Sequence, residues 1–209
     1  MIDWKSGVFG VTVVLASSAA VARDRQQVEV GAGILQHGIT PPFNRDAPAG
    51  TIYESTEEQG SVDVQLLYRT PALGFALRPR LTAKAQINTR GRTSFVSAGA
   101  EWRRRALNGR VYAQIGVGVA VHDGRLFNPD PYAPGLSRED AWRQYTIYTT
   151  RTAFGSRVLF NPNLSIGARL DRRWAVEAAY EHFSHAQIFN AQNSGIDNVG
   201  IRLIRSFGR

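Results

Sequence analysis

The chain has 209 residues, a formal charge of +8 and no cysteine. The length suits one domain or one barrel, and the missing cysteines exclude a disulfide framework and a thiolate nucleophile. A mean hydropathy of −0.24, with no long apolar run beyond the N-terminus, excludes helical membrane spans but not a β-barrel, whose interior half is polar.

Residues 1–22 read as a secretory signal peptide. Lys5 supplies the positive region, residues 7–16 the short apolar stretch, and Ala20-Val21-Ala22 the small-x-small cleavage site. Cleavage there removes one acid (Asp3) and one base (Lys5), so the remaining 23–209, read as a single barrel domain, keeps the basic balance. Export makes anionic lipid head groups, not nucleic acid, the expected partners of that charge.

The first strand is expected over 26–36, with Val28, Val30, Ala32 and Ile34 on one face and Glu29, Gly31 and Gly33 on the other. A polar loop to about residue 60 leads into a second strand over 61–68, where Val62, Val64 and Leu66 alternate with Asp63 and Gln65. The third, over 80–89, is the cleanest dyad: Leu81, Ala83, Ala85 and Ile87 against Arg80, Thr82, Lys84, Gln86 and Asn88. The turn carrying Arg90 and Arg92 is placed outside the cell, where it could meet lipid phosphates, and leads to a fourth strand over 94–103. Arg103, Arg104 and Arg105 read as solvated charge at the periplasmic end. An Asn108-Gly109 pair marks a hairpin turn, and the fifth strand follows over 110–122.

Residues 123–148 read as a long loop. A sixth strand, over 156–170, is expected to bend at Asn161-Pro162-Asn163, because proline cannot donate to the ladder. The seventh begins at Trp174, and the eighth, beginning at Asp197, ends the chain. Short and long connections alternate, so the fold class is all-β, an eight-stranded antiparallel up-and-down outer-membrane β-barrel, with loops near 37–60, 123–154 and 185–196 outside the cell. A soluble β-sandwich would also alternate. One-sided apolar faces on nearly every strand, after an export signal, favour the barrel.

The chemistry gathers near the end. Trp174, Val176, Ala178 and Tyr180 share a face, and His182 and Ser184 continue it. Asp197 shares parity with Val199, Ile201 and Leu203 on the next strand. A hydroxyl and an imidazole two strand residues apart stand ~7 Å from each other at the backbone, and a cross-strand carboxylate lies ~5 Å away. This is the composition of a Ser-His-acid triad. His-x-Ser on a strand is by itself commonplace, and only the shared parity with an acid lifts it. Glu181, next to His182, faces the interior and reads as filling. His37, His122 and His185 share inward parity near loop ends, without metal-ligand spacing.

Glu181-His182-Phe183-Ser184-His185-Ala186, followed by Asn193-Ser194-Gly195-Ile196-Asp197, resembles the outer-membrane lipid A 3-O-deacylases of the PagL type. Those eight-stranded barrels carry His-x-Ser-Asn-Ala on a late strand and Asn-x-Gly-Ile-Glu opening the next. The resemblance implies Ser184 as nucleophile, His182 as its base and Asp197 as the orienting acid on the lipid-facing side. It implies lipopolysaccharide as substrate, the outer membrane as location, and neither cofactor nor metal. The sequence departs at His185, where the family has an asparagine associated with the oxyanion hole, and at Asp197, one methylene shorter than the family's glutamate. His185, Asn193 and Gly195 are the weaker oxyanion or substrate candidates; Asn193-Ser194-Gly195 also reads as a plain turn. A second copy of the chain is a further candidate partner. The alternative is a catalytically silent barrel with a structural or lipid-binding role.

Overall fold

The computed structural model describes residues 27–39, 60–75, 77–189 and 195–208. The signal-peptide segment, most of the first long loop and Asn193 lie outside the described residues. The strands are β1 (Val28–His37), β2 (Ser61–Arg69), β3 (Arg80–Asn88), β4 (Phe95–Ala106), β5 (Val111–His122), β6 (Val158–Phe160), β7 (Asn163–Arg169), β8 (Trp174–Phe183) and β9 (Ile196–Phe207). Sequential neighbours pair antiparallel, and β9 returns to β1, with Ile34 opposite Ile201, so the sheet closes on itself.

Strands β6 and β7 are two halves of one strand. Val119 of β5 faces Phe160 and Gly116 faces Asn163, a single unbroken register across the gap. Pro162, lacking an N–H, interrupts the ladder there. Its neighbours keep theirs: the Asn161 N–H donates to Gly118 O at 2.8 Å, and Pro162 O accepts from His182 N at 3.0 Å. The barrel therefore has eight strands, bent where the proline predicts.

The alternating side chains sort as the dyads require. Ile34, Leu66, Ile87, Val96, Ile115, Ile166 and Ile201 face outward and are exposed, while their polar neighbours are buried. A soluble sandwich would hide the apolar set; here the closed sheet turns it outward, as in a membrane barrel.

The interior is filled with paired charge. Arg69, fully buried, donates from Nε to Glu101 at 2.6 Å and bidentately to Glu177 at 2.8 and 3.0 Å. Lys84 reaches both oxygens of Glu181, at 2.9 and 2.8 Å, and Arg202 bonds the same carboxylate. Arg103 corrects the sequence reading: it lies in the lumen, forked onto Glu29 at 2.7 and 2.6 Å, with its guanidinium 4.3 Å from the Tyr112 ring centre. Arg104, one residue on, is exposed as expected. Towards the end that carries the long loops the polar filling gives way to an apolar plug of Phe95, Phe154, Leu159, Phe183 and Ile196, in which Phe95 and Phe183 stack at 4.0 Å.

The loop after β5 holds an α-helix, α1 (Arg138–Thr150), that the sequence reading lacks. Ser137 caps it, its Oγ accepting from Asp140 N at 3.0 Å, and Glu139 and Asp140 suit the positive first turn. No residue of this helix is buried, and its aromatic side chains Trp142, Tyr145 and Tyr148 stay exposed.

Two details at the short-turn end of the barrel account for departures from simple alternation. Arg205 breaks the apolar face of β9, but its guanidinium lies over Trp174 and Phe207, 5.2 and 5.0 Å from the ring centres, where the ring faces attract the cation. In the β7–β8 turn, Asp171 Oδ1 accepts from the N–H groups of Arg173 and Trp174 at 2.6 and 2.8 Å. Those two bonds hold the Asp171 carboxyl below its ordinary range. A lowered acid stabilises above its unfolded pKa and loses that contribution as pH falls through the folded one. Asp171→Ala should accordingly lower the thermal midpoint slightly at pH 7, with the difference from the parent closing in strong acid; an identical gap at both pH values would count against the turn bonds.

Candidate active site

Strand β8 presents a column of outward side chains in which Tyr180, His182 and Ser184 rise towards the end that carries the long loops. Ser184 lies one residue beyond β8, and the sheet still holds it: its N–H donates to Phe160 O at 3.2 Å, and its carbonyl accepts from Phe160 N at 2.7 Å. The neighbouring strand β9 sets Asp197 directly opposite His182, and Val199 opposite Tyr180. Asp197 is fixed in turn because its own carbonyl accepts from Ile39 N at 2.8 Å, beyond the end of β1.

The three side chains meet in one line. His182 Nδ1 lies 2.7 Å from Asp197 Oδ1, and His182 Nε2 lies 2.8 Å from Ser184 Oγ. With the proton on Nδ1 donated to the carboxylate, Nε2 is left to accept the serine hydroxyl. The imidazole is 32% exposed and the carboxylate 12%, so the line is open to the membrane side at its histidine and serine and shielded at its acid. A serine hydroxyl is a weak nucleophile until a base takes its proton, and this arrangement of groups can do that.

Two further features shape the site. The Tyr180 hydroxyl donates to Asp197 Oδ1, the oxygen that also meets His182. Sequence reading placed Tyr180 on the right face but valued only its ring; the hydroxyl next to a same-face acid was the available signal. Just past Ser184, Ala186 and Gln187 both adopt left-handed φ, 51° and 59°. Such a conformation costs a non-glycine residue ~1–2 kcal/mol and turns the chain off the sheet immediately after the serine.

Of the weaker candidates, Gly195 is close. Its φ is +59°, and a β-carbon there would lie 3.4 Å from Ser184 Cβ, 3.5 Å from His182 Cε1 and 3.3 Å from Phe183 O. In Gly195→Val a β-branched residue at this φ is strained and must enter the space beside the Ser184–His182 pair, so the His182 ring resonances should shift while the barrel stays folded. Unchanged His182 resonances in a heat-modifiable Gly195→Val protein would dismiss that crowding. His185 is fully buried, on the opposite side of the strand from Ser184, with its ring 5.7 Å from that of Phe189. Asn193 lies outside the described residues.

The remaining histidines are dispersed around the apolar plug. His37 Nδ1 lies 2.8 Å from Asp63 Oδ2, and His122 Nε2 donates to Ser156 O at 2.7 Å. Among the described residues no three His, Asp or Glu side chains form a group able to hold a metal ion. Glu181 faces the lumen on Lys84, Arg202 and Asn161, which is the filling role expected of it. Arg92, in the β3–β4 turn, donates to Thr150 O at 3.2 Å where α1 finishes.

Known proteins bear on this geometry. Among solved structures, the outer membrane enzyme PagL is similar with a TM-score of 0.52 and 12% identity, over 85% of this chain and 97% of that one; it shares the fold. The Yersinia pestis outer membrane protein Ail is 11% identical at a TM-score of 0.44, over 87% of this chain and 99% of its own. Neisserial surface protein A is 7% identical at 0.46, over 87% and 96%. No curated protein matches the chain in sequence. The family model for lipid A 3-O-deacylase (PagL) matches residues 60–205, most of the barrel and all of the Ser184, His182 and Asp197 line, and the chain belongs to that family.

Proposed function

We propose that this protein is a serine esterase of the outer membrane that removes the 3-O-linked acyl chain from the lipid A of lipopolysaccharide. The observation that carries the reading is the unbroken line Ser184 Oγ–His182 Nε2 and His182 Nδ1–Asp197 Oδ1, at 2.8 and 2.7 Å, on the outward face of a barrel. Family membership supplies the substrate class. An acylated lipid in the outer leaflet would reach this face sideways, without leaving the membrane.

In the reaction, Ser184 Oγ attacks the ester carbonyl as its proton passes to His182 Nε2. The tetrahedral intermediate collapses by breaking the bond to the glucosamine 3-oxygen, which takes that proton from the imidazolium. The acyl group, now on Ser184, is released when His182 draws a proton from water as its oxygen attacks the acyl carbonyl. The second tetrahedral intermediate collapses by breaking the bond to Ser184 Oγ, which takes the proton back from the imidazolium and frees the fatty acid. Asp197 keeps the proton of Nδ1 directed away from the serine and stabilises the imidazolium in both halves. The shorter acid suffices because β9 brings its backbone directly across from His182. Every step uses side chains of this chain, the ester and water.

Residues 1–22 act in this reading as a cleaved export signal, leaving 23–209 as one barrel domain. The test is the mass of lipid A from cells producing the protein, together with its partition into the outer-membrane fraction. Loss of one hydroxyacyl chain supports the reading. Unchanged lipid A in cells whose outer membrane holds the folded barrel would instead indicate a silent scaffold.

A further inference from the structure

The acid of this site is short and lies on the lipid side of the barrel, its carboxylate only 12% exposed. An aspartate has only two side-chain torsions, so its carboxylate cannot travel to find donors; donors have to come to it. On the outward face of a membrane barrel, water is too scarce to satisfy its lone pairs, and an unsatisfied carboxylate is costly. The imidazole supplies one donor from above. The second comes from below, where Tyr180 on β8 directs its hydroxyl to the same Oδ1. Its strand position is flanked on both sides: Leu164 of β7 pairs with Tyr180 on one side and Val199 of β9 on the other. A tyrosine suits this depth because its ring faces lipid while its hydroxyl bonds inward to the site.

We propose that Tyr180 is a positioning residue of this site, whose phenol anchors the Asp197 carboxylate so that it keeps His182 turned towards Ser184. Two donors on one oxygen, arriving from neighbouring rows of the sheet, fix both torsions of the aspartate; one donor alone leaves the carboxylate free to swing. The inference rests on the esterase reading and adds to it a fourth group that touches neither ester nor water.

The test uses the full mature protein folded in detergent, with purified lipid A as substrate. Tyr180→Phe removes the hydroxyl and keeps the ring. Its kcat should fall ~10–100-fold, the scale of a misaligned catalytic group, with KM unchanged within about twofold and the barrel still heat-modifiable on electrophoresis. Because the effect passes through the acid, the same substitution made in an Asp197→Asn protein should cost less than about twofold more, a coupling that a merely structural role would not give. A second measurement does not need turnover: the hydrogen-bonded Nδ1–H resonance of His182, in protein labelled at histidine nitrogen, should be sharp in the parent, broadened by exchange in Tyr180→Phe and absent in Asp197→Asn. Unchanged kcat in Tyr180→Phe, fully additive losses in the double variant, or an unaltered His182 resonance would each overturn the anchoring role. If the parent protein leaves lipid A intact, the esterase reading fails alone, and the resonance still decides whether Tyr180 holds the acid.

Discussion

Cells producing the Ser184→Ala protein should retain every acyl chain on their lipid A, while cells producing the parent lose one hydroxyacyl group of the mass expected for the 3-position. The effect is the largest available because alanine removes the only atom able to form the acyl-enzyme, and the remaining His182–Asp197 pair then has no hydroxyl to activate. In serine hydrolases, loss of the nucleophile costs on the order of 10⁴–10⁶ in kcat, which in a whole-cell mass spectrum reads as complete loss. The substitution is also structurally mild. Ser184 is held in the sheet by its backbone, through the paired bonds to Phe160 at 3.2 and 2.7 Å, and those survive it. The variant should reach the outer membrane in normal amount and keep the heat-modifiable migration of a closed barrel. Deacylation that persists with alanine at 184 would move the chemistry elsewhere on the molecule.

The second large effect concerns stability. Arg69 is fully buried and satisfies three glutamates at once: Glu101, Glu177 and, at 3.3 Å, Glu29. Arg69→Ala leaves those carboxylates facing one another around a cavity without their central cation. Removing one partner from a buried ion pair typically costs ~3–5 kcal/mol, a large part of the ~5–15 kcal/mol that holds a domain together. The variant should fold poorly into detergent, and any folded fraction should melt in urea well before the parent. Arg104→Ala is the internal control, because that side chain is exposed on the other face of β4 and surface changes stay within ~0.5 kcal/mol. Equal urea midpoints for Arg69→Ala and the parent would mean that the lumen network contributes little.

Much of this was legible in the chain before any coordinates. Alternation of apolar and polar residues reports a two-faced strand directly, which is why the expected strands fall within a few residues of those observed and why Pro162 marks the break between β6 and β7. Asn108 takes a left-handed φ of 54° in the turn where the Asn-Gly pair predicted one. The helix α1 was hard to read from periodicity, since Trp142, Tyr145 and Tyr148 recur every three residues but stay exposed, a weaker signal than the wide apolar stripe of a core-facing helix. Its Ser137-x-x-Asp140 cap was a local signal that could have found it. Arg103 was misjudged for a different reason. Three consecutive arginines look like surface charge, but strand alternation continues through them, and β4 runs on to Ala106, carrying Arg103 into the lumen.

Parity is a property of one strand, and the sequence by itself determined it: Ser184, His182, Tyr180 and Asp197 had to share the outward side, and Glu181 and His185 the inward one. Which residue stands beside which is a property of two strands, and only the register in which the strands pair decided that. Asp197 faces His182 because β8 and β9 pair in one register along their whole length, so a slip of two residues would have kept every side chain on its face and still left the acid out of reach of the ring. The same holds inside, where Arg69 meets Glu177 across 108 residues of chain. Alternation assigns a face because each peptide turns its neighbour over; partnership across the sheet depends on how all the strands meet around the barrel, which no local pattern encodes.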